Sequence, residues 1–397
     1  MLWLCGPPGA GKTTVAWEIY ADLAGSGCPV GYVDVDQLGI CYPEPASDPG
    51  RYTMQAENLD AAVGVMREVG AERIIVSGVV DPTRGPRVDR MPHVGLTMLR
   101  LRADAEVLRR RLVERRCDAV FVAEAVAEAE VLDGTDFASG RVDTTGRTVA
   151  DVVREVRRHA PGWTASGQSP AAPTPSGRSP APPTPSGQPA DPGLTGSSQP
   201  ESCPAGGTIL WLCGATGVGT STVGFQIFSR TVFGRRIPGA YVDLDQLGFV
   251  SPAPADGLAR HRMRARMLAA LWRTFRAGGA TCLTMVGPVE DAAAIGVYRE
   301  ALTSAALSVC RLHARRDELA RRIRLRGRGE GWAQPGDPLR GRPAAHLSHV
   351  ADLAAARADA LERAGIGDLR VDTDGRTVEE ITEAILARTS WPDRASP

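Results

Sequence analysis

Apolar residues along this chain come in short runs that alternate with helical stripes. Leu2–Cys5 is a four-residue apolar run ended by Gly6, and after it Val15, Ile19 and Leu23 recur at helical spacing. A second run, Val30–Val35, is followed by a stripe at Leu59, Val63, Met66 and Val69. Two further strands are predicted at Arg73–Ser77 and Gly95–Leu101, then an arginine-rich helix from about Ala105 to Arg116. A last strand leads into VDTTGRTV, where Thr148 caps a helix carrying Val149, Val152, Val153 and Val156. Such alternation predicts an α/β fold, a parallel sheet with helices on both faces and a site at the C-terminal ends of its strands.

The whole pattern then returns. LWLCGPPGAGKTTV at 2–15 recurs as LWLCGATGVGTSTV at 210–223, and YVDVDQLG at 32–39 as YVDLDQLG at 241–248. MLRLRADAEVLRRRL at 98–112 resembles VCRLHARRDELARRI at 309–323, and VDTTGRTV at 142–149 returns as VDTDGRTV at 371–378. Order and spacing are nearly kept, which predicts a tandem pair of domains, 1–159 and 208–397. Between them, residues 160–207 repeat SGQSPAAPTP and SGRSPAPPTP, a proline/serine/glycine composition expected to form a disordered tether. The copies differ in two places. The second has an extra helical segment at Asp291–Ala305, and its region 324–343 is longer than the short, apolar stretch from Arg115 to Val122 in the first.

Composition narrows the classes. The chain has 397 residues, long enough for two domains, with ordinary apolar and charged content for a globular protein. The formal net charge is zero, but acidic side chains exceed basic ones by five in residues 1–160, and basic exceed acidic by six in 208–397. That surplus is too mild to indicate nucleic-acid binding, whereas opposite charge favours pairing of the two halves into an intrachain pseudo-dimer. No apolar run approaches the ~20 residues of a membrane span, and the opening MLWLC lacks a signal peptide's basic leader. Eight cysteines without C-x-x-C spacing indicate neither a zinc site nor a disulfide framework. A cytoplasmic, reduced protein is expected, with no membrane or nucleic-acid partner.

The chemistry concentrates at residues 6–14. Gly6, Pro7, Pro8, Gly9, Ala10, Gly11, Lys12, Thr13 and Thr14 spell G-x-x-x-x-G-K-T between a strand and a helix, the context of a phosphate-binding loop. Its amides and the helix N-terminus attract phosphate. Lys12 is then placed to reach the β- and γ-phosphates of ATP, and Thr13 to hold Mg²⁺. All 46 basic residues but this one are arginine. A slim point charge is kept at the one position where it must enter a phosphate cradle. At the end of the second strand Asp34 and Asp36 lie two apart, so both are expected to face the loop. One can serve the metal and the other accept a proton from an attacking hydroxyl. In the second copy Thr220 replaces the lysine, while Ser221, Asp243 and Asp245 keep the hydroxyl and the carboxylates.

The loop, the D-x-D after the second strand and the arginine-rich helix together resemble the small P-loop kinases, among them the shikimate, gluconate and adenylylsulfate kinases and the chloramphenicol phosphotransferases. The resemblance implies two tandem P-loop NTPase domains, the second degenerate. It also implies transfer of a γ-phosphoryl group to a hydroxyl of a small-molecule acceptor. By the same resemblance Asp36 binds the acceptor and acts as base, and Asp34 assists the metal. Arg110, Arg111 or Arg115 screens the transferring group, and Arg51 grips the acceptor. Asp81 is the one acidic residue near a Walker-B position, and it serves either metal-bound water or the turn that it begins at Asp81-Pro82.

Overall fold

β1 (Leu2–Cys5) and β2 (Val30–Asp34) are buried along their whole lengths. Continuous apolar runs of this kind suit a parallel sheet covered on both faces. The computed structural model describes residues 1–91, 95–115, 117–163, 206–330, 337, 339–389 and 391–392. A two-residue strand, β3 (Cys41–Tyr42), leaves the first sheet, which continues with β4 (Arg73–Ser77), β5 (Thr97–Arg102) and β6 (Gly140–Asp143). The order β6-β5-β1-β4-β2 is parallel throughout. α1 (Lys12–Gly25), α2 (Tyr52–Glu68), α3 (Ala105–Glu114), α4 (Ala119–Asp133) and α5 (Val149–His159) flank it.

The second half repeats this order. β7 (Thr208–Cys213), β8 (Gly239–Asp243), β9 (Phe249–Ser251), β10 (Cys282–Val286), β11 (Ala306–His313) and β12 (Leu369–Asp372) follow in sequence. Five of them form a sheet in the order β12-β11-β7-β10-β8. Its helices are α6 (Thr220–Ser229), α7 (Gly257–Ala277), α8 (Ala292–Ala301), α9 (Arg316–Gly327), α10 (Ala344–Arg363) and α11 (Val378–Thr389).

Each half lends the other its sixth strand. β9 runs antiparallel on β2 with Tyr32 opposite Phe249, Gly31 opposite Val250 and Val30 opposite Ser251. β3 runs antiparallel on β8 with Cys41 opposite Ala240 and Tyr42 opposite Gly239, and Tyr241 N–H donates to the Ile40 carbonyl at 2.9 Å. The two exchanges share one register, so the contact has the self-complementary form of a two-fold interface. It also covers the edge that each sheet would otherwise leave unpaired. Between the sheets one apolar core runs through both halves, from Leu59 and Met66 of α2 to Leu268 and Phe275 of α7. The fit is close: a side chain at Gly278 would lie 2.6 Å from the Met54 methyl.

Several elements depart from the pattern-based expectation. β2 stops at Asp34, because its carboxylate accepts the Asp36 N–H at 3.1 Å and caps a 3₁₀ turn over Val35–Leu38. The period-two argument for Asp34 and Asp36 therefore does not apply; a capped turn sets their relation. α4 was not anticipated. Its Val122, Ala125, Val126 and Leu132 are buried, so the latter half of the short apolar stretch from Arg115 to Val122 is the start of a packed helix. The Thr148 cap is present and is completed by Asp151 as a capping box. Most of the tether, residues 164–205, lies outside the described residues, as do Arg116 and, within the 324–343 segment, 331–336 and 338. Among the described residues no helix is long and apolar enough to cross a membrane.

Candidate functional site

The glycine loop folds tightly because it crosses the sheet where a side chain cannot fit. Gly6 has φ 143°, and a Cβ there would stand 2.2 Å from the Leu101 carbonyl oxygen. Gly11, at φ 94°, takes the left-handed conformation that turns the chain into α1. Lys12 opens that helix with its side chain buried, its Nζ donating to the Pro7 carbonyl at 3.2 Å. One residue on, the Thr13 hydroxyl donates to Asp34 Oδ2 at 3.0 Å.

Asp34 sits in a built pocket. Ser77, at the end of β4, also donates to its Oδ2 at 3.2 Å, and the Tyr32 hydroxyl lies 2.8 Å from Ser77 Oγ. Burial, reinforced by the charge of Asp36, pushes the Asp34 carboxyl up to about 7. A hydroxyl and a buried carboxylate beside a phosphate loop are hard oxygen donors, which suits Mg²⁺, and a divalent cation would relieve the cost of burying that charge. Asp36 is half-buried, with its Oδ1 held by the Val79 N–H at 2.9 Å; its Oδ2 takes no hydrogen bond among the described residues.

Other expected residues are placed differently. The Arg111 guanidinium is occupied: Nη1 donates to the Gly9 carbonyl and to Thr144 Oγ1, each at 3.1 Å, and Nη2 to the Thr144 carbonyl at 3.0 Å. Rather than facing a phosphoryl group it clamps the loop to the strand end after β6. Arg110 and Arg115 are exposed at the same end of α3. Arg51, expected to grip an acceptor, instead lies 4.1 Å over the Tyr42 ring and pairs with Glu44 at 2.8 Å. Its backbone is left-handed at φ 60°. Asp81 serves its turn, accepting from the Thr83 N–H, the Thr83 hydroxyl and the Arg84 N–H within 3.0 Å. Beside it opens a cavity of about 470 Å³ lined by Asp48, Tyr52, Thr53, Asp81, Arg84 and Arg87 among others.

Sequence reasoning missed three residues. Tyr32 and Ser77 sit inside strands and read as core. Glu128 lies on the unanticipated α4 with Oε1 buried and without a hydrogen-bond partner among the described residues. Burial raises its pKa, with Lys12 opposing the shift and Asp36 adding to it. Continuing the 122–125–132 apolar stripe as a helix would have brought it to notice.

The second half repeats the frame and neutralises its charges internally. The Ser221 hydroxyl donates to Asp243 Oδ2 at 3.0 Å, and the Asp245 N–H to Asp243 Oδ1 at 2.9 Å. Arg322 makes the same clamp as Arg111, to the Val218 carbonyl at 2.8 Å and to Thr373 Oγ1 and O at 3.0 and 2.9 Å. However, Thr220 stands where Lys12 does. Arg321 pairs with Glu318 at 2.7 Å, Arg326 with Asp337 at 2.6 Å and Arg264 with Asp245 at 3.2 Å.

A family profile described as an AAA domain matches residues 2–131. No curated protein matches the chain. Among solved structures, the tunicamycin resistance protein of Deinococcus radiodurans is 20% identical with a TM-score of 0.32, over 46% of this chain and 95% of that one. The APS kinase of Mycobacterium tuberculosis, in complex with AMPPNP and APS, is 20% identical with a TM-score of 0.31, over 47% and 99%. A gluconokinase from Sinorhizobium meliloti 1021 is 18% identical with a TM-score of 0.31, over 46% and 93%. Two of these three structures are kinases by title, one acting on APS and one a gluconokinase.

Proposed function

We propose that the first half is an ATP-dependent phosphotransferase that moves the γ-phosphoryl group to a hydroxyl of a small molecule. The observation that carries this is the Thr13–Asp34 pair beside a buried Lys12 at the mouth of the glycine loop. In this reading Lys12 and the loop amides bind the phosphates, and Thr13 and Asp34 hold Mg²⁺, which supplies charge neutralisation at the transferring group. Asp36, held through Oδ1 by Val79, presents Oδ2 to the acceptor. The acceptor oxygen bonds to the γ-phosphorus, its proton passes to Asp36, and the bond to the β,γ-bridging oxygen breaks to release ADP. Arg111 keeps the loop in shape, leaving Arg110 or Arg115 to screen the moving charge. The cavity beside Asp81 is the proposed acceptor site.

Labelled ATP supplied with a metabolite pool is expected to yield a phosphorylated product, lost in Lys12→Ala and Asp36→Asn. Full turnover in Asp36→Asn would remove it as the base. A second reading, in which nucleotide occupancy regulates a scaffold and no phosphoryl group moves, draws on the reciprocal strand exchange. It predicts tight ATP binding with no acceptor-dependent turnover.

A further inference from the structure

We infer that the second half is a positioning element for the metal site of the first, acting through Phe249, and that the influence runs in one direction only. This rests on the reading of the first half as a Mg²⁺–nucleotide site. Asp34 is 8% exposed, and its Oδ2 takes hydrogens from two hydroxyls, Thr13 and Ser77. Thr13 is the hydroxyl assigned to the metal, which leaves Ser77 as the donor dedicated to orienting the carboxylate. Ser77 has a single hydroxyl hydrogen. With that hydrogen on Asp34, the 2.8 Å contact to Tyr32 must be a bond that Tyr32 donates. Donors therefore run from Tyr32 to Ser77 to Asp34, all three buried. Such outer partners set the orientation of a metal-binding carboxylate.

The Tyr32 hydroxyl is aimed by whatever holds its ring. Trp17 and Tyr20, both on α1, approach with ring centroids at 5.4 and 5.9 Å. A third aromatic neighbour is Phe249, at 5.7 Å, which comes from the second half on β9 directly opposite Tyr32. Phe249 also packs edge-on against Trp17 at 4.9 Å, so it braces both the ring and the ring's neighbour. Without it the Tyr32 ring gains room to turn, and its hydroxyl leaves Ser77.

The reverse contact has no such consequence. In the second half Tyr241 takes the place of Tyr32 and Ile40 that of Phe249, but Val286 stands where Ser77 does. The Tyr241 hydroxyl reaches the Ser221 carbonyl at 3.5 Å, and Val286 offers no hydroxyl to relay it to Asp243 as Ser77 does to Asp34. One interlock thus positions a metal-binding carboxylate and its twin does not.

Titration of the full chain with ATP, once in Mg²⁺ and once in EDTA, tests this. Phe249→Ala is expected to weaken binding in Mg²⁺ by about 10–100-fold, as for loss of an outer partner of a metal ligand, and to leave binding in EDTA unchanged. Tyr32→Phe keeps the ring and removes only the hydroxyl. It is expected to act alike, and the double variant to lose no more than either single one. Equal weakening with and without Mg²⁺, or fully additive losses, overturns the inference. Should Phe249→Ala not fold, Phe249→Leu takes its place in the same cycle, and additivity again decides. Wild-type protein that binds no Mg²⁺–ATP overturns the underlying reading. Wild-type protein that binds it, with Phe249 variants that leave the Mg²⁺ dependence intact, overturns this inference alone.

Discussion

The two halves share one frame and differ in charge. Both hold a hydroxyl on a carboxylate at 3.0 Å, Thr13 on Asp34 and Ser221 on Asp243, and both clamp the loop with an arginine. The arginine clamp makes no contact that depends on the lysine and recurs without it, whereas the hydroxyl–carboxylate pair recurs as a frame that only the first half completes with a cation. On that ground Arg111 and Arg322 are structural. Lys12, the Tyr32–Ser77 relay and Glu128, whose Oε1 has no hydrogen-bond partner among the described residues, set the first half apart. At the position of Glu128 the second half has Arg357, which lies 4.0 Å from Glu290. Arg264, Arg321 and Arg326 are likewise held by carboxylates of the same half.

The largest expected effect comes from removing the cation. Lys12→Ala should lower phosphotransfer by about 10²–10³-fold, the scale for losing one preorganised charge-stabilising group. It should shift the melting temperature little, since Thr220 occupies the same place in the other half; calorimetry beside the kinetic assay checks both. Thr220→Lys approaches the comparison from the other side. If the lysine is the decisive difference, the number of nucleotides bound per chain should rise from one to two. A count that stays at one would move the defect to the internal ion pairs.

Arg111→Ala and Arg322→Ala should each cost about 2 kcal/mol of stability, the scale of hydrogen bonds to a charged group. Only Arg111→Ala should also weaken nucleotide binding. Denaturant titration of the pair, read beside ATP affinity, separates clamp from catalyst. A further effect concerns pH. The Asp34 carboxyl is raised from 3.8 to about 7 by burial and by Asp36. A raised acid holds its proton more tightly in the folded state, so the contribution of Asp34 to metal-free stability is full below about pH 4 and is lost as pH rises toward 7. Asp34→Asn should flatten that fall and melt above wild type at pH 8, while losing the Mg²⁺ dependence of ATP binding.

Much of the frame was legible in the sequence because local pattern and tertiary role agree there. Leu2–Cys5 and Arg73–Ser77 are strands where the apolar runs place them, and Thr148 caps its helix as written. α4 was hidden because its alanine-rich face gives only a weak helical stripe. Arg51 and Arg111 misled for a different reason. An arginine's sequence position says where it starts and not where it ends: Arg111 finds Thr144, 33 residues on, and Arg51 turns back onto the ring of Tyr42, whose strand pairs with the second half. The strand exchange was equally out of reach, since Cys41–Tyr42 and Phe249–Ser251 are too short to read as strands alone.

The central claim is that one half carries the working phosphate site. Equilibrium titration of the full chain with ATP in Mg²⁺ tests it most directly. The account predicts one nucleotide per chain, abolished by Lys12→Ala and untouched by Ser221→Ala. Two nucleotides per chain, or one that survives Lys12→Ala and disappears with Ser221→Ala, would contradict it.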